Sequence, residues 1–321
     1  MRRSLRFFLI GMAFFIILPL RAQAEEYLIP VGRLIGLQLR GDSILVAAYD
    51  DVLGARARDA GLKIGDEILR IDGQKITCVE DVHAAVGASG ERVAVTVRRG
   101  NKEETLALQP QQTGDGPRLG VYLRQGIAGI GTVTFYDPET GLFGTLGHGV
   151  SDARGSLLRM TEGAAFEAAI QSVQKGKCGT PGQLKGNAEA AAFGKLLHNT
   201  PQGVFGIARP GWQGVAVPTA DYEEIREGPA QIRCQVEGNE VREYSVELLK
   251  IYPETRADGR NFLIKVTDPT LLEITGGIVQ GMSGSPICQN GKIVGAVTHV
   301  LVNDPTRGYG IFIENMLEAA E

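Results

Sequence analysis

The second half of the chain consists of short apolar segments that turn residues separate at regular intervals. Eight such segments lie between residues 121 and 321, and Gly, Pro, Asn or Asp stands between them. Short strands at this spacing predict an all-β barrel or sandwich. The chain has 43 glycines, and tight turns and bent barrel strands use many of them. The stretch EGAAFEAAIQSV, residues 162–173, differs from the rest and predicts either a helix or an extended insert.

Residues 25–110 differ from the second half because strand-like and helical patterns alternate there. Two strand-like stretches precede a short helix, a strand pair, an amphipathic helix at 79–86 and a closing strand pair. The stretch AGLKIGDEILRIDGQKI, residues 60–76, resembles the PDZ domain of bacterial exported proteases. Residues 111–120 are polar and rich in Gly and Pro. They predict a linker between this α/β domain and a second, mainly β domain at 121–321.

The resemblance to PDZ domains implies a peptide-binding edge in the first domain. PDZ domains bind an extended peptide by adding it to the edge of a sheet beside a helix. The resemblance places the carboxylate-binding loop and the edge strand at Leu34, Ile35, Gly36 and Leu37, whose N–H groups would face the end of the peptide. The helix at 79–86 would form the other wall of the groove. A domain that fixes geometry and binds nothing is the alternative.

Residues 1–24 carry the three parts of a secretory signal peptide. A basic start with three arginines precedes an apolar run from Phe7 to Leu20, and Ala22-Gln23-Ala24 offers a small-residue cleavage site. The run is short for a membrane-spanning helix, and an uncleaved anchor is the alternative. Either interpretation predicts that residues 25–321 work outside the cytoplasm.

Composition excludes several classes of function. The formal net charge is −4 and there is no block of Lys and Arg, so a nucleic-acid partner is not expected. The chain has no His-Glu-x-x-His motif, which argues against a metalloprotease. Four cysteines lie too far apart for a zinc or redox motif, so we expect neither a metal nor a cofactor: Cys78, Cys178, Cys234 and Cys288.

The segment QGMSGSPICQNGKIVGAVTHV, residues 280–300, has the pattern of a serine nucleophile turn. A Gly-x-Ser-Gly turn supplies a hydroxyl together with N–H groups that can bind an oxyanion, because glycine permits positive φ and close approach. We therefore expect Ser283 to be the nucleophile and the N–H groups of Gly281 and Ser283 to form the oxyanion hole. Asn290-Gly291 then predicts a two-residue hairpin turn. A nucleophile turn that leads into a hairpin resembles the end of a chymotrypsin-like double β-barrel.

A serine nucleophile needs a base, and the chain has four histidines. One falls in the PDZ-like domain and one in a polar loop. His148, in the segment GTLGHGVSD, ends a predicted strand far upstream of Ser283, and the chain order of chymotrypsin-like proteases makes it the expected base. In those proteases the segment that matches Thr298 and His299 pairs with the substrate backbone. The resemblance therefore makes these two residues a substrate wall.

Longer motifs are similar to those of the SpoIVB family of sporulation serine peptidases. They are RLGVYLRQGIAGIGTVTFYDPETGLFGTLGHGVSD, residues 118–152, and VTDPTLLEITGGIVQGMSGSPICQNGKIVGAVTHVLVNDPTRGYGIFIE, residues 266–314. The resemblance implies a serine endopeptidase exported into the forespore intermembrane space, where it cleaves a membrane-anchored regulator. That cleavage releases an intramembrane protease, which activates the mother-cell sigma factor, and family members also process themselves. A non-catalytic PDZ-containing binding protein on a protease-like scaffold is the alternative.

The resemblance assigns the acid of the catalytic triad to Asp268, in KVTDPTLL. This position is unusual for a chymotrypsin-like barrel, in which the orienting acid lies between the histidine and the inter-barrel link. Asp268 instead lies only a short stretch of chain before Ser283. Asp152, which closely follows His148, is the second candidate. A dyad oriented by water or by a carbonyl is the third.

The residue before the expected nucleophile is Met282, where trypsin-like proteases have an acid. Methionine cannot pair with a newly freed N-terminal amine, so activation by that route is not expected. Control must come from elsewhere, and the PDZ-like domain is the expected regulator.

Overall fold

The computed structural model describes residues 26–152, 155–252 and 259–321. Within those ranges no helix is both long and apolar enough to span a bilayer, and the predicted leader at 1–24 lies outside them. The helices are α1 (Gly54–Asp59), α2 (Val79–Ala88), α3 (Pro269–Thr275) and α4 (Ile313–Glu318), and Tyr222–Glu224 form a 3₁₀ turn. The strands are β1 (Tyr27–Pro30), β2 (Leu34–Gly41), β3 (Ile44–Tyr49), β4 (Glu67–Ile71), β5 (Gln74–Lys75), β6 (Val93–Arg99), β7 (Lys102–Leu108), β8 (Gln111–Thr113), β9 (Gly116–Arg118), β10 (Val121–Arg124), β11 (Ile127–Tyr136), β12 (Leu142–Thr145), β13 (Met160–Gln174), β14 (Gln183–Thr200), β15 (Gly203–Ala208), β16 (Val217–Pro218), β17 (Gly228–Glu237), β18 (Glu240–Ile251), β19 (Phe262–Val266), β20 (Pro286–Gln289), β21 (Lys292–Leu301) and β22 (Asp304–Phe312).

Two closed barrels form the body of the molecule. The first ring is β2, β11, β12, β15, β14 and β13, which β1 and β16 extend. The second ring is β17, β18, β19, β22, β21 and β20. Its core includes Phe262 and Phe312, whose rings meet edge to face with centroids 4.7 Å apart. The predicted mainly β class, with an α/β domain and a second domain built as a double β-barrel, is confirmed.

The PDZ-like unit lies between β2 and β11 in the chain. Its sheet has the order β10, β3, β4, β6, β7, with β5 paired to β4, and it carries α1 and α2. Residues such as Ile68, Val82 and Val95 give the unit a core of its own. The predicted linker at 111–120 contains the β8–β9 hairpin instead, and β10 completes the sheet beyond it.

The predicted start of the PDZ-like domain at residue 25 is therefore wrong, because β1 and β2 belong to the first barrel. Leu37 pairs with Gly129 of β11 on one side and with Ala165 of β13 on the other. Both edges of β2 are thus occupied. The segment LIGL fits a PDZ edge strand and a barrel strand equally well as a local pattern, and pairing partners distant in sequence decide between them.

The stretch EGAAFEAAIQSV is extended and forms most of β13. With β14 it makes a hairpin whose strands have 15 and 18 residues. β13 pairs with β2 as far as Glu167 and with β14 as far as Gln174. The hairpin therefore projects beyond the first barrel, and its tip reaches the second.

Candidate active site

Ser283 lies in the turn that precedes β20, and the first barrel holds this turn from behind. The N–H of Thr132 donates to the Ser283 carbonyl at 2.9 Å, and the Thr132 hydroxyl donates to the Gly281 carbonyl at 2.8 Å. Gly284 packs so closely on Thr132 and Leu146 that no Cβ would fit there. The Ser283 hydroxyl donates to the carbonyl of Thr298 at 2.8 Å.

His148 follows β12 and approaches the same place from the first barrel. Two residues earlier, the Leu146 N–H donates to the Thr132 carbonyl at 3.3 Å, so Thr132 contacts both the histidine segment and the serine turn. A Cβ on Gly147 would lie 2.9 Å from the Thr298 side chain, whose carbonyl accepts from Ser283. These contacts bring the segments that carry the predicted base and nucleophile together between the barrels, where the Ser283 hydroxyl is bonded to Thr298 O and the His148 ring to Gly149 O.

The His148 ring is bonded to backbone. Its Nδ1 lies 3.0 Å from the carbonyl oxygen of Gly149, and because a carbonyl only accepts, Nδ1 carries the proton and Nε2 the lone pair. Burial lowers the pKa of His148 below its ordinary value, and the Gly149 carbonyl opposes this in part. The imidazole is therefore neutral near pH 7 and can accept a proton at Nε2.

Asp268 does not reach that ring. Its carboxylate caps α3, where it accepts from Thr270 N at 2.9 Å and Leu271 N at 3.0 Å. Asp is a favoured N-cap residue and Pro269 suits the first helical position, so the Asp-Pro pair that the resemblance assigned to the triad starts a helix here. Within the described ranges no carboxylate contacts His148, and the geometry corresponds to the carbonyl-oriented dyad.

The loop after His148 is fixed by Asn199 of β14. The Asn199 side chain accepts from Val150 N and donates to Val150 O, both at 2.9 Å, and it also donates to Leu158 O at 2.9 Å. Gly149 N donates to Pro201 O at 3.2 Å. Sequence reasoning missed Asn199, because an Asn in a strand distant in sequence gives no local signal of this role.

The N–H groups of Gly281 and Ser283 point away from the carbonyls that precede them. The Gln280 carbonyl accepts from Leu184 N at 2.8 Å, and the Met282 carbonyl accepts from Ser285 N at 2.9 Å. In a trans peptide the N–H and C=O point in opposite directions. Neither N–H donates to another group of the described chain, so both are available to an incoming oxygen.

Thr298 and His299 lie beside the two expected catalytic residues. Thr298 is buried and supplies the carbonyl that accepts from Ser283, while its hydroxyl donates to Tyr309 O at 3.2 Å. The half-buried His299 ring stands 5.2 Å from the His148 ring, centroid to centroid. These positions agree with the predicted substrate wall, whose role stays a prediction.

Residues 115–317 match the family model of the SpoIVB peptidase S55, which covers more than half of the chain. The chain belongs to the SpoIVB peptidase S55 family. It is a serine peptidase, and residues 35–109 match the model of the PDZ domain.

Individual relatives of this S55 peptidase match over parts of their length. Atu1380 of Agrobacterium fabrum, which is named as a zinc metalloprotease, is 36% identical over 106 residues, 33% of this chain. The chain spans 27% of that protein. The active-form Rv3671c protease of M. tuberculosis aligns with 60% of this chain and 74% of its own, at 15% identity and a TM-score of 0.38. The PDZ domain of an SdrC-like protein of Listeria monocytogenes aligns with 26% of this chain and 87% of its own, at 24% identity and a TM-score of 0.23.

The PDZ domain of this S55 peptidase offers a different edge from the predicted one. Leu34, Ile35, Gly36 and Leu37 are buried in β2 within the barrel, so they cannot receive a peptide. β10 is an edge strand of the PDZ sheet, with β3 as its neighbour on one side, and the chain directly after it contacts α2. Gln125, at the end of β10, accepts from the first N–H of α2 at 3.3 Å. The alternating segment VYLR after a Leu-Gly pair was the sequence signal for this edge.

Proposed function

We propose that this chain is an exported endopeptidase in which His148 and Ser283 form a catalytic dyad. His148 Nε2 takes the hydroxyl proton as Ser283 Oγ attacks a peptide carbonyl carbon. The negative charge on the carbonyl oxygen is bound by the N–H groups of Gly281 and Ser283. The imidazolium then gives its proton to the leaving amine, and water hydrolyses the acyl-enzyme by the same steps.

The single observation that carries this proposal is that Thr132 anchors both the segment before His148 and the turn that holds Ser283. Its N–H and hydroxyl hold the serine turn, and its carbonyl holds the histidine segment. Because one buried residue holds both segments, their relative position across the barrel interface is fixed. The Gly149 carbonyl supplies the ring orientation that a carboxylate supplies in a Ser-His-Asp triad.

As substrate we propose a membrane-anchored regulator in the forespore intermembrane space, whose cleavage triggers mother-cell sigma-factor activation. Membership in the SpoIVB peptidase S55 family supports this assignment, and so does the secretory pattern of residues 1–24. Self-processing belongs to the same proposal. An extended peptide of the partner would bind along β10 opposite α2, by strand addition.

A fluorophosphonate probe tests the dyad. The probe reacts with an activated serine, so we expect the 25–321 protein to be labelled at Ser283 and the Ser283→Ala variant to remain unlabelled. Ser285→Ala is the matched control, since Ser285 follows two residues later and is fully buried. An unlabelled, folded wild-type protein would favour a binding protein on a protease scaffold.

The substrate requires a separate test. The wild-type chain is produced together with the membrane-anchored regulator in a sporulating host, and the regulator is followed on an immunoblot. We expect a shortened regulator with wild type and intact regulator with Ser283→Ala. An intact regulator beside a protein that still labels would refute the substrate and leave the dyad standing.

A further inference from the structure

The hairpin of β13 and β14 ends directly against the expected oxyanion hole. Leu184 N donates to Gln280 O at 2.8 Å, and Gln280 N donates to Gly182 O at 2.9 Å. Gln183 and Gln280 thus form a short parallel bridge between the hairpin and the nucleophile turn. Both polar groups of the Gln280 backbone are bound by a segment of the first barrel.

The tip of this hairpin, residues 176–184, is anchored at further points on the second barrel. Gly176 N donates to Thr275 O at 2.8 Å at the end of α3, and Gly179 N donates to Val302 O at 2.9 Å after β21. Leu184 is fully buried in the core of the second barrel. Its Cβ lies 3.1 Å from the place where a Cβ on Gly281 would be. The tip is therefore a docked element and not a free loop.

The bond from Leu184 decides which way the Gln280–Gly281 peptide faces. With the carbonyl bound to Leu184, the Gly281 N–H points to the opposite side and stays available to the substrate oxygen. A flip of this single peptide would turn the carbonyl toward the substrate and remove one donor from the hole. Met282 precludes a salt bridge to a freed N-terminus as the device that sets this peptide, so another element must do so.

We infer that the hairpin tip is the positioning element of the oxyanion hole, through the carbonyl of Gly182 and the N–H of Leu184. The inference rests on the proposed roles of Gly281 and Ser283. It adds that the competence of the site depends on a contact outside the catalytic residues, made by the β13–β14 hairpin of the first barrel.

Three glycine-to-alanine substitutions give a graded test. At Gly182 an added Cβ would come closer to Gly176 N and Gln174 O than atoms can approach, and 2.6 Å from Val279 Cγ1. At Gly176 it would meet Pro305 Cβ at 3.2 Å, which demands only a small shift. At Gly129 of β11 there is no described atom within 4 Å, so Gly129→Ala is the matched control. None of the three has a positive φ, so the substitutions act through space alone.

The readout is fluorophosphonate labelling of Ser283, measured as a rate, an end-point and a pH profile. Loss of one oxyanion-hole donor costs about 10²–10³ in rate, and we expect Gly182→Ala to slow labelling by this factor. The end-point should stay complete, because every folded molecule still reacts. The pH midpoint should stay at the wild-type value, because His148 is untouched. The labelling rate of Gly176→Ala should fall by a smaller factor, and that of Gly129→Ala should equal the wild-type rate.

The outcomes separate the possible failures. A folded Gly182→Ala protein that labels at the wild-type rate overturns the inference, as does a loss of end-point without a change in rate. If Gly182→Ala does not fold, Gly176→Ala decides: slower labelling with a full end-point supports the inference, and a wild-type rate refutes it. A wild-type protein that does not label at all refutes the proposed dyad, and this inference with it.

Discussion

His148 donates from Nδ1 to the carbonyl oxygen of Gly149, the next residue in the chain, at 3.0 Å. A Ser-His-Asp triad places a carboxylate at this position, where it stabilises the imidazolium that forms during catalysis. A neutral carbonyl stabilises that cation less, while it still fixes the tautomer and the ring orientation. Burial lowers the pKa of His148 and the Gly149 carbonyl opposes this only in part, so the ring is a weaker base than an exposed histidine.

The role of Asp268 is tested by Asp268→Asn. Asparagine caps a helix about as well as aspartate, so we expect this variant to keep both its free energy of unfolding and its rate of fluorophosphonate labelling. Asp268→Ala removes the cap and should lower the free energy of unfolding by about 0.5–2 kcal/mol, while folded molecules label at the wild-type rate. Urea unfolding and labelling kinetics measure the two quantities.

A triad acid predicts the reverse pattern. Replacing the acid of a Ser-His-Asp triad by its amide lowers the rate by about 10⁴, because the imidazole takes the wrong tautomer. Such a loss in Asp268→Asn, with unfolding unchanged, would restore Asp268 to the triad. Asp152→Asn is the parallel test for the second candidate, whose carboxylate accepts from Ser156 N at 3.0 Å.

The lowered pKa of His148 predicts the pH dependence of activity. The ordinary pKa of histidine is about 6.5, and burial moves that of His148 below it. The ring is a base only when neutral, so labelling should remain at its neutral-pH rate until the pH falls below this ordinary value. The His299→Gln variant shows whether the neighbouring His299 ring contributes to the pH profile. His198→Gln, at an exposed position, is the control. A midpoint at or above the ordinary value would contradict this assignment.

The same shift predicts how stability changes with pH. Protonation of His148 is less favourable in the folded state than in the unfolded state, because its pKa is lowered by folding. The contribution of neutral His148 to stability is therefore complete above its pKa in the unfolded state, and it is lost as the pH falls through its pKa in the folded state. Comparing the urea midpoint of wild type with that of His148→Gln across this range should show a smaller acid loss in the variant.

Asn199 should act on catalysis through the backbone it holds. Asn199→Asp keeps the acceptor for Val150 N but replaces both donors, to Val150 O and Leu158 O, by a carboxylate oxygen that these carbonyls repel. We expect slower labelling, because the repulsion displaces the loop that carries the Gly149 carbonyl. The loss should be accompanied by a shifted pH midpoint, which simple destabilisation would not produce. Asn187→Asp, on the exposed part of β14, is the matched control. A slower rate with an unmoved midpoint would reduce Asn199 to a purely structural role.

Local patterns predicted the parts of the site that depend on turns. Asn290 and Gly291 have φ of 53° and 79° and join β20 to β21, as the two-residue hairpin signal requires. The Gly-x-Ser-Gly turn and the strand end at His148 were predicted for the same reason. Pairing across the chain was not predictable: nothing local in LIGL shows that β2 lies between β11 and β13. The resemblance assigned Asp268 to the triad, whereas its carboxylate caps α3, a contact made within three residues of the chain.

Peptide binding at the β10 edge can be tested by amide NMR on the whole 25–321 protein labelled with ¹⁵N-leucine. An apolar hexapeptide with a free C-terminus is the probe. If it adds to β10 beside α2, the amide signals of Leu119 and Leu123 should shift, because they lie at and just before this edge. Leu34 and Leu37 should not shift, because β2 has partners on both sides. Shifts of Leu34 and Leu37 alone would place the peptide-binding groove at β2. If neither pair of leucines shows a saturable shift, the domain serves as a spacer.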